Sequence, residues 1–164
     1  TLFRSGLPYE IGLIKNRYVG RTFIQPTQAQ RERGVKMKLS AIQAIVKDRR
    51  IVMIDDSIVR GTTSRRIVRL LKDAGAREVH VRIASPAIQY PCFYGVDTSS
   101  REELISARKN VDELCAYLHA DSLKFLAIED LYTAFQTTHL CCACFNGSYA
   151  TPLYDYEQAD KKER

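Results

Sequence analysis

Short runs of mostly apolar residues alternate along this chain with stretches whose apolar residues recur at helical spacing. The runs are "PYEIGLI" (residues 8–14), "RIVMI" (50–54), "EVHVRIA" (78–84) and "LKFLAI" (123–128). Each reads as a buried strand, because a strand covered on both faces needs little polar alternation. Between them Ile67, Val68, Leu70, Leu71 and Ala74 share one helical face, and Gly75 supplies the left-handed residue that ends such a helix. Ser99 with Glu102, or Ser100 with Glu103, offers the reciprocal pairing that opens a helix running to about Lys109. "VDELCAYLHA" and "IEDLYTAF" read as further helices. Strands alternating with helices build a mostly parallel sheet flanked by helices, so the fold class is α/β. A parallel strand at 9–14 needs an upstream neighbour, and residues 1–5 read as the end of a helix begun earlier. The pattern is therefore expected to be incomplete at its N-terminus, with one domain over 1–153 and a polar tail, "YDYEQADKKER", over 154–164.

Composition narrows this little. A chain of 164 residues with 45% hydrophobic residues fills one core. No apolar run approaches the roughly 20 residues that span a bilayer, and the N-terminus lacks the basic and apolar sections of a signal peptide. Lys and Arg outnumber Asp and Glu by 25 to 19, a net charge of +6 that favours phosphorylated partners without separating nucleic acid from nucleotides. Five cysteines, three of them in "CCAC" (Cys141, Cys142, Cys144), suit a metal better than a disulfide framework and imply a reducing cytoplasm. As residues alone, Cys141 and Cys144 fit a zinc half-site, a redox pair, buried thiols or an iron–sulfur site.

The strongest chemistry lies in "IDDSIVRGTTS". A strand ending in Asp55 and Asp56 delivers two carboxylates to the carboxyl edge of a parallel sheet, where open α/β folds bind ligands. Sugar hydroxyls or a hydrated Mg²⁺ would offset that charge. Gly61 then permits close backbone approach, Thr62, Thr63 and Ser64 offer hydroxyls, and the amides opening the next helix attract an anion. One end accommodates a diol and metal, the other a phosphate. The bland reading is that Asp56 or Ser57 caps a helix after a core strand.

The same residues resemble the signature of type I phosphoribosyltransferases. Together with "GLIKNRYVGRTFIQPTQAQRERGVKMKLSAI" and "PCFYGVDTSSREELISARKNVDEL", they are similar to the glutamine phosphoribosylpyrophosphate amidotransferases. The resemblance implies that Asp55 and Asp56 bind the ribose 2- and 3-hydroxyls of 5-phosphoribosyl 1-pyrophosphate (PRPP) and help hold Mg²⁺. Ser57 adjoins them, and Arg60, Gly61, Thr62, Thr63 and Ser64 surround the 5-phosphate. The basic stretch 17–38, by its residues either a solvated surface or a contact for nucleic-acid phosphates, becomes a flexible loop closing over substrate. In that role Lys15, Arg21 and Lys38 neutralise departing pyrophosphate and Tyr18 orders the closed form. The implied reaction is displacement of pyrophosphate at C1 by ammonia, giving 5-phosphoribosylamine in the first step of de novo purine synthesis, with no side-chain nucleophile.

The family draws that ammonia from glutamine in an N-terminal glutaminase domain with a first-residue cysteine nucleophile. Neither that domain nor the pyrophosphate loop upstream of Gly6 is in this sequence, and Thr1 is no such nucleophile. The fragment alone is therefore expected to be inactive. Purine nucleotide inhibition, a homo-oligomer, and no membrane or nucleic-acid partner also follow from the resemblance. In one branch a [4Fe-4S] cluster is held by a cysteine in "PCFYG" and two in a C-terminal CxxC, which maps onto Cys92, Cys141 and Cys144 with a fourth ligand outside this chain. Cys142 points elsewhere, and Cys115 is a buried thiol on an apolar helix face. The alternatives are a base-salvage phosphoribosyltransferase and a non-catalytic nucleotide-sensing or RNA-binding regulator of the same fold.

Overall fold

The computed structural model describes residues 5–15, 39–96, 98 and 100–153. Three strands, β3 (Arg50–Asp55), β4 (Glu78–Ile83) and β5 (Ser122–Phe125), form a parallel sheet in that order, with Met53 beside Val81 and Val81 beside Leu123. Helices α2 (Thr62–Asp73) and α4 (Val111–Leu118) connect them. Right-handed crossovers are the rule for such units, and both helices pack on one sheet face. Val68, Leu71, Leu114 and Leu118 meet Met53, Val79, Val81, Ile83 and Leu123 in a single buried cluster. Lys72 clasps Asp121 at 2.5 Å and the Val79 amide donates to the same carboxylate at 2.6 Å, knitting α2, β4 and the start of β5.

The opposite face corrects the expectation of strands buried on both sides. Val52 is 42% and Ile54 47% exposed. Register sets them beside His80 and Arg82, and the "EVHVRI" strand alternates Val79, Val81 and Ile83 inward with Glu78, His80 and Arg82 outward. That period of two defines a sheet covered on one face among the described residues. The outward row is polar: Arg50 and His80 both hold Glu78, and Ser122 meets both His80 and Arg82.

The first apolar run is also corrected. Only Leu13–Lys15 (β1) forms a strand, and it pairs antiparallel with Leu39–Ala41 (β2), not in parallel with an upstream neighbour. Pro8 has no amide to give a ladder, and the pairing runs out at Gly12, whose carbonyl accepts from the Ile42 amide at 2.9 Å in the same antiparallel register just before α1 (Gln43–Val46). Leu7, Tyr9, Ile11 and Ile14 are exposed. Leu13 and Ala41 still pack against the core, anchoring this ribbon.

Gly75 behaves as expected, at φ +93°, with its amide donating to the Lys72 carbonyl and the Ala76 amide to that of Leu71. "LKFLAI" stops as a strand at Phe125, because Ile128 already opens α5 (Ile128–Phe135), where Asp130 accepts the Ala127 amide at 3.2 Å. The capping box falls elsewhere than predicted. Ser100 gives its hydroxyl to the Glu102 carboxylate, a 3₁₀ turn spans Arg101–Glu103, extended Leu104 interrupts, and only a short α3 (Ile105–Arg108) follows. Ser99 lies outside the described residues. The box sits instead on α4, with the Glu113 amide donating to Asn110 Oδ1 and the Asn110 amide to Glu113 Oε2, both at 2.9 Å. Asn110→Ala is expected to lower stability by about 1 kcal/mol in urea titration. An unchanged midpoint would show that the box contributes nothing. The polar tail at 154–164 lies outside the described residues.

Candidate functional site

Asp55 is the last residue of β3 and points to the helix-covered side, where it is half-buried, while Asp56 stands exposed beside it. The turn organises itself through these carboxylates. The Asp56 amide donates to Asp55 Oδ1 at 3.1 Å, and the Ser57 amide to Asp56 Oδ1 at 2.7 Å. Ile58, 2% exposed, anchors the turn below. Burial pushes the Asp55 carboxyl above the usual carboxylate range, opposed by the Asp56 amide and reinforced by the charge of Asp56, while the Ser64 hydroxyl favours the ionised form. Neither aspartate forms an ion pair among the described residues. Two adjacent carboxylates, one half-buried and neither ion-paired among the described residues, would suit a hydrated divalent cation.

Gly61 precedes α2 at φ +72°, a left-handed conformation that side chains rarely adopt. A β-carbon there would also lie 3.1 Å from Ile105 Cδ1 and 3.3 Å from the Tyr117 ring, so both conformation and space demand glycine. No side chain caps α2 and its first turn carries no acid, which leaves Thr62 and Thr63, both exposed, at an open positive helix end. Ser64 is only 3% exposed; its hydroxyl serves Asp55, and it adjoins the anion end through its backbone. Arg60 extends from the turn and donates to Glu103 at 2.5 Å. Arg65 lies over the Tyr117 ring, 4.6 Å from its centre.

Lys15 ends β1 and pairs in register with Leu39. Tyr18, Arg21 and Lys38 lie outside the described residues. The structure thus brings together Asp55, Asp56, Ser57, Arg60, Gly61, Thr62, Thr63 and Ser64 on one strand–turn–helix. Glu103, Ile105 and Tyr117 buttress this turn from about 40 residues or more downstream; the sequence marked Glu103 only as a capping partner of Ser100 and assigned none of the three to the site.

Cys92, Cys141, Cys142 and Cys144 form a second locality, and Cys115 lies apart from it. All five are free thiols. Helix α6 (Ala143–Asn146) presents the Cys144 carbonyl to the amides of Gln89 and Tyr90, at 3.0 and 3.1 Å, which sets the stretch before Cys92 against it. Tyr149 donates to the Pro91 carbonyl at 2.7 Å and its ring lies 5.2 Å from that of Phe93. Burial, and then the nearby Cys92, push the Cys144 thiol up. Cys141 is exposed, while buried Cys142 meets the Tyr132 hydroxyl. Cys115 gives its thiol to the Ala120 carbonyl at 3.3 Å and packs on the core, as a structural cysteine does. Among the described residues, no three His, Cys, Asp or Glu side chains are gathered closely enough to hold a metal, and no helix is long and apolar enough to cross a membrane.

No family model matches the sequence. Individual proteins do. The chain is 57% identical over 156 residues to the amidophosphoribosyltransferase of Bacillus subtilis (strain 168), covering 92% of this chain and 33% of the relative. It is 54% identical over 159 residues to that of Synechocystis sp., covering 96% and 32%. Among solved structures, the B. subtilis glutamine PRPP amidotransferase complexed with ADP and GMP matches with a TM-score of 0.82 at 57% identity, over 92% of this chain and 34% of that one. A structure described as the allosteric regulatory enzyme of purine biosynthesis matches at 0.81 and 58%, over 92% and 34%. The chain spans about one third of the length of these relatives, and its fold is that of their phosphoribosyltransferase portion.

Proposed function

We propose that the chain, 57% identical over 92% of its length to the amidophosphoribosyltransferase of B. subtilis, carries the PRPP site of such an enzyme. One observation supports this above the others: an unneutralised aspartate pair at a strand end joined by a glycine turn to an uncapped helix start. In this reading Asp55 and Asp56 bind the ribose 2- and 3-hydroxyls and, with substrate oxygens, hold Mg²⁺. The α2 amides, Arg60 and the Thr62 and Thr63 hydroxyls take the 5-phosphate. Mg²⁺, when bound, supplies positive charge to the pyrophosphate. Ammonia attacks C1 from the face opposite pyrophosphate, forming the C1–N bond as the C1–O bond breaks, and the spare ammonium proton goes to solvent or pyrophosphate. Lys15, Arg21 and Lys38 compensate the charge on the leaving group, Tyr18 orders the closed loop, and closure excludes the water that would otherwise trap C1. The product is 5-phosphoribosylamine.

The full enzyme would take ammonia from glutamine through a glutaminase domain, assemble as a homo-oligomer in a reducing cytoplasm, and bind purine nucleotides in competition near 61–64. ADP and GMP occupy the B. subtilis relative. Cys92, Cys141 and Cys144 would hold a [4Fe-4S] cluster with a fourth cysteine from outside this chain. A thiol-only donor set suits iron–sulfur ligation, and since the three thiols are not gathered closely enough to hold a metal as they stand, the cluster would have to draw them together. The role of the cluster would be to tie the C-terminal segment to the 89–98 stretch. Pyrophosphate release from PRPP that requires both ammonium and Mg²⁺, measured on the longest native polypeptide carrying this sequence, is the expected result. Release that requires a purine or pyrimidine base instead would reassign the chain to base salvage.

A further inference from the structure

Resting on the reading of Arg60 as a phosphate ligand, we propose that Glu103 is the positioning residue of the phosphate turn. It holds one edge of the Arg60 guanidinium and leaves the rest of the fork open to the 5-phosphate. The two residues are 43 apart in sequence, yet Arg60 Nη2 donates to Glu103 Oε2 at 2.5 Å. Their backbones are docked independently of that pair. The Ile105 amide donates to the Val59 carbonyl at 2.9 Å, Leu104 is fully buried, and Gly61 packs closely against the Ile105 side chain. The 3₁₀ turn Arg101–Glu103 is therefore fixed beside the phosphate turn whatever its side chains do.

Within that turn the side chains divide. Glu102 is taken by Ser100, and Arg101 lies 5.6 Å over the Tyr90 ring, so Glu103 is the member of the turn that reaches Arg60. Arg60 is 61% and Glu103 44% exposed. A pair so solvated contributes little to stability. Its consequence is conformational. An arginine side chain has large rotamer freedom, and fixing one of its five N–H groups in advance lowers what phosphate binding must still order. The remaining donors keep the planar geometry that matches a phosphate in bidentate fashion.

The 5-phosphate is remote from C1 and is bound alike in ground and transition states, so the effect belongs in the KM for PRPP and not in kcat. Glu103→Ala, in the longest native polypeptide, should raise that KM about fivefold, with kcat within about twofold and the ammonia KM unchanged. Glu103→Gln, which keeps an acceptor, should fall between. The thermal midpoint should stay within about 1 °C, which separates positioning from folding. Arg60→Ala should itself raise the KM, and adding Glu103→Ala to it should change nothing further. A flat Glu103 series beside an affected Arg60→Ala would overturn this proposal alone. So would a Glu103 effect that persists without Arg60. An Arg60→Ala variant with unchanged KM would instead remove Arg60 from the phosphate site, and the proposal with it.

Discussion

Asp55→Asn combined with Asp56→Asn is expected to lower Mg²⁺-dependent PRPP turnover by about 10³-fold or more while the protein stays folded. The pair ends a strand whose neighbours, Met53 and Ile83, are buried, but the aspartates themselves line its open edge, so amides of the same shape disturb no packing. What they remove is charge. Asp55 alone carries a finer expectation. Burial raises its folded pKa above that of the unfolded chain. The linkage follows from that sign: the folded state favours the protonated acid, so the stability the group confers is present below the unfolded value and lost as pH rises through the folded one. At neutral pH the protein therefore carries an ionised carboxylate at some cost to the metal-free fold. Asp55→Asn should melt higher than the parent at pH 7 and lose that advantage once the pH falls below the ordinary aspartate pKa. Substrate and metal affinity should fall on acidification sooner than an ordinary aspartate would dictate. Undiminished turnover in the double variant would sink the assignment. A midpoint lower at pH 7 would show that Asp55 is structural.

How much of this was legible follows from the range of the interactions. The aspartate pair, Gly61 and the helix after it are contiguous, so their chemistry shows in eleven letters, "IDDSIVRGTTS". Gly75 and the helices at 111–118 and 128–135 were equally local. The errors lie where a partner decides the outcome. "EVHVRI" is compatible with a strand covered on one face or two, and only the placement of both α2 and α4 on one side sets Val52 and Ile54 in the open. "PYEIGLI" has enough apolar residues for a strand, but its only ladder partner among the described residues is Leu39–Ala41, far along the chain. Ser100 and Glu103 satisfy a capping pattern, yet Ser100 is spent on Glu102 and Glu103 is drawn to an arginine 43 residues upstream. No spacing rule reports a contact of that kind. The buttress of Ile105 and Tyr117 on Gly61 was hidden for the same reason.

Cys144→Ser is expected to remove a cluster and a tether together. Purified without oxygen, the longest native polypeptide should be brown and hold about four irons per chain, as a four-thiolate cluster requires. The variant should be colourless and less stable. The loss of stability follows from how thinly the region is otherwise joined. The C-terminal segment meets the 89–98 stretch through the Cys144 carbonyl, the Tyr149–Pro91 hydrogen bond, the Phe93 and Tyr149 rings and the Tyr94–Thr151 contact, mostly at half-exposed positions. Tyr90 further pins it, since Gly147 at φ +74° leaves no room for a β-carbon 2.9 Å from that ring. Two controls divide ligands from bystanders. Cys115→Ser should keep its iron, because that thiol is engaged with Ala120 and packed on the core, and Cys142→Ser should keep it because that thiol is buried beside Tyr132. Cys92→Ser and Cys141→Ser should behave like Cys144→Ser. Colourless, iron-free and fully active parent protein would reject the cluster, and one zinc per chain in its place would make the CxxC a zinc half-site. Iron lost from Cys115→Ser but retained in Cys144→Ser would redraw the ligand set altogether.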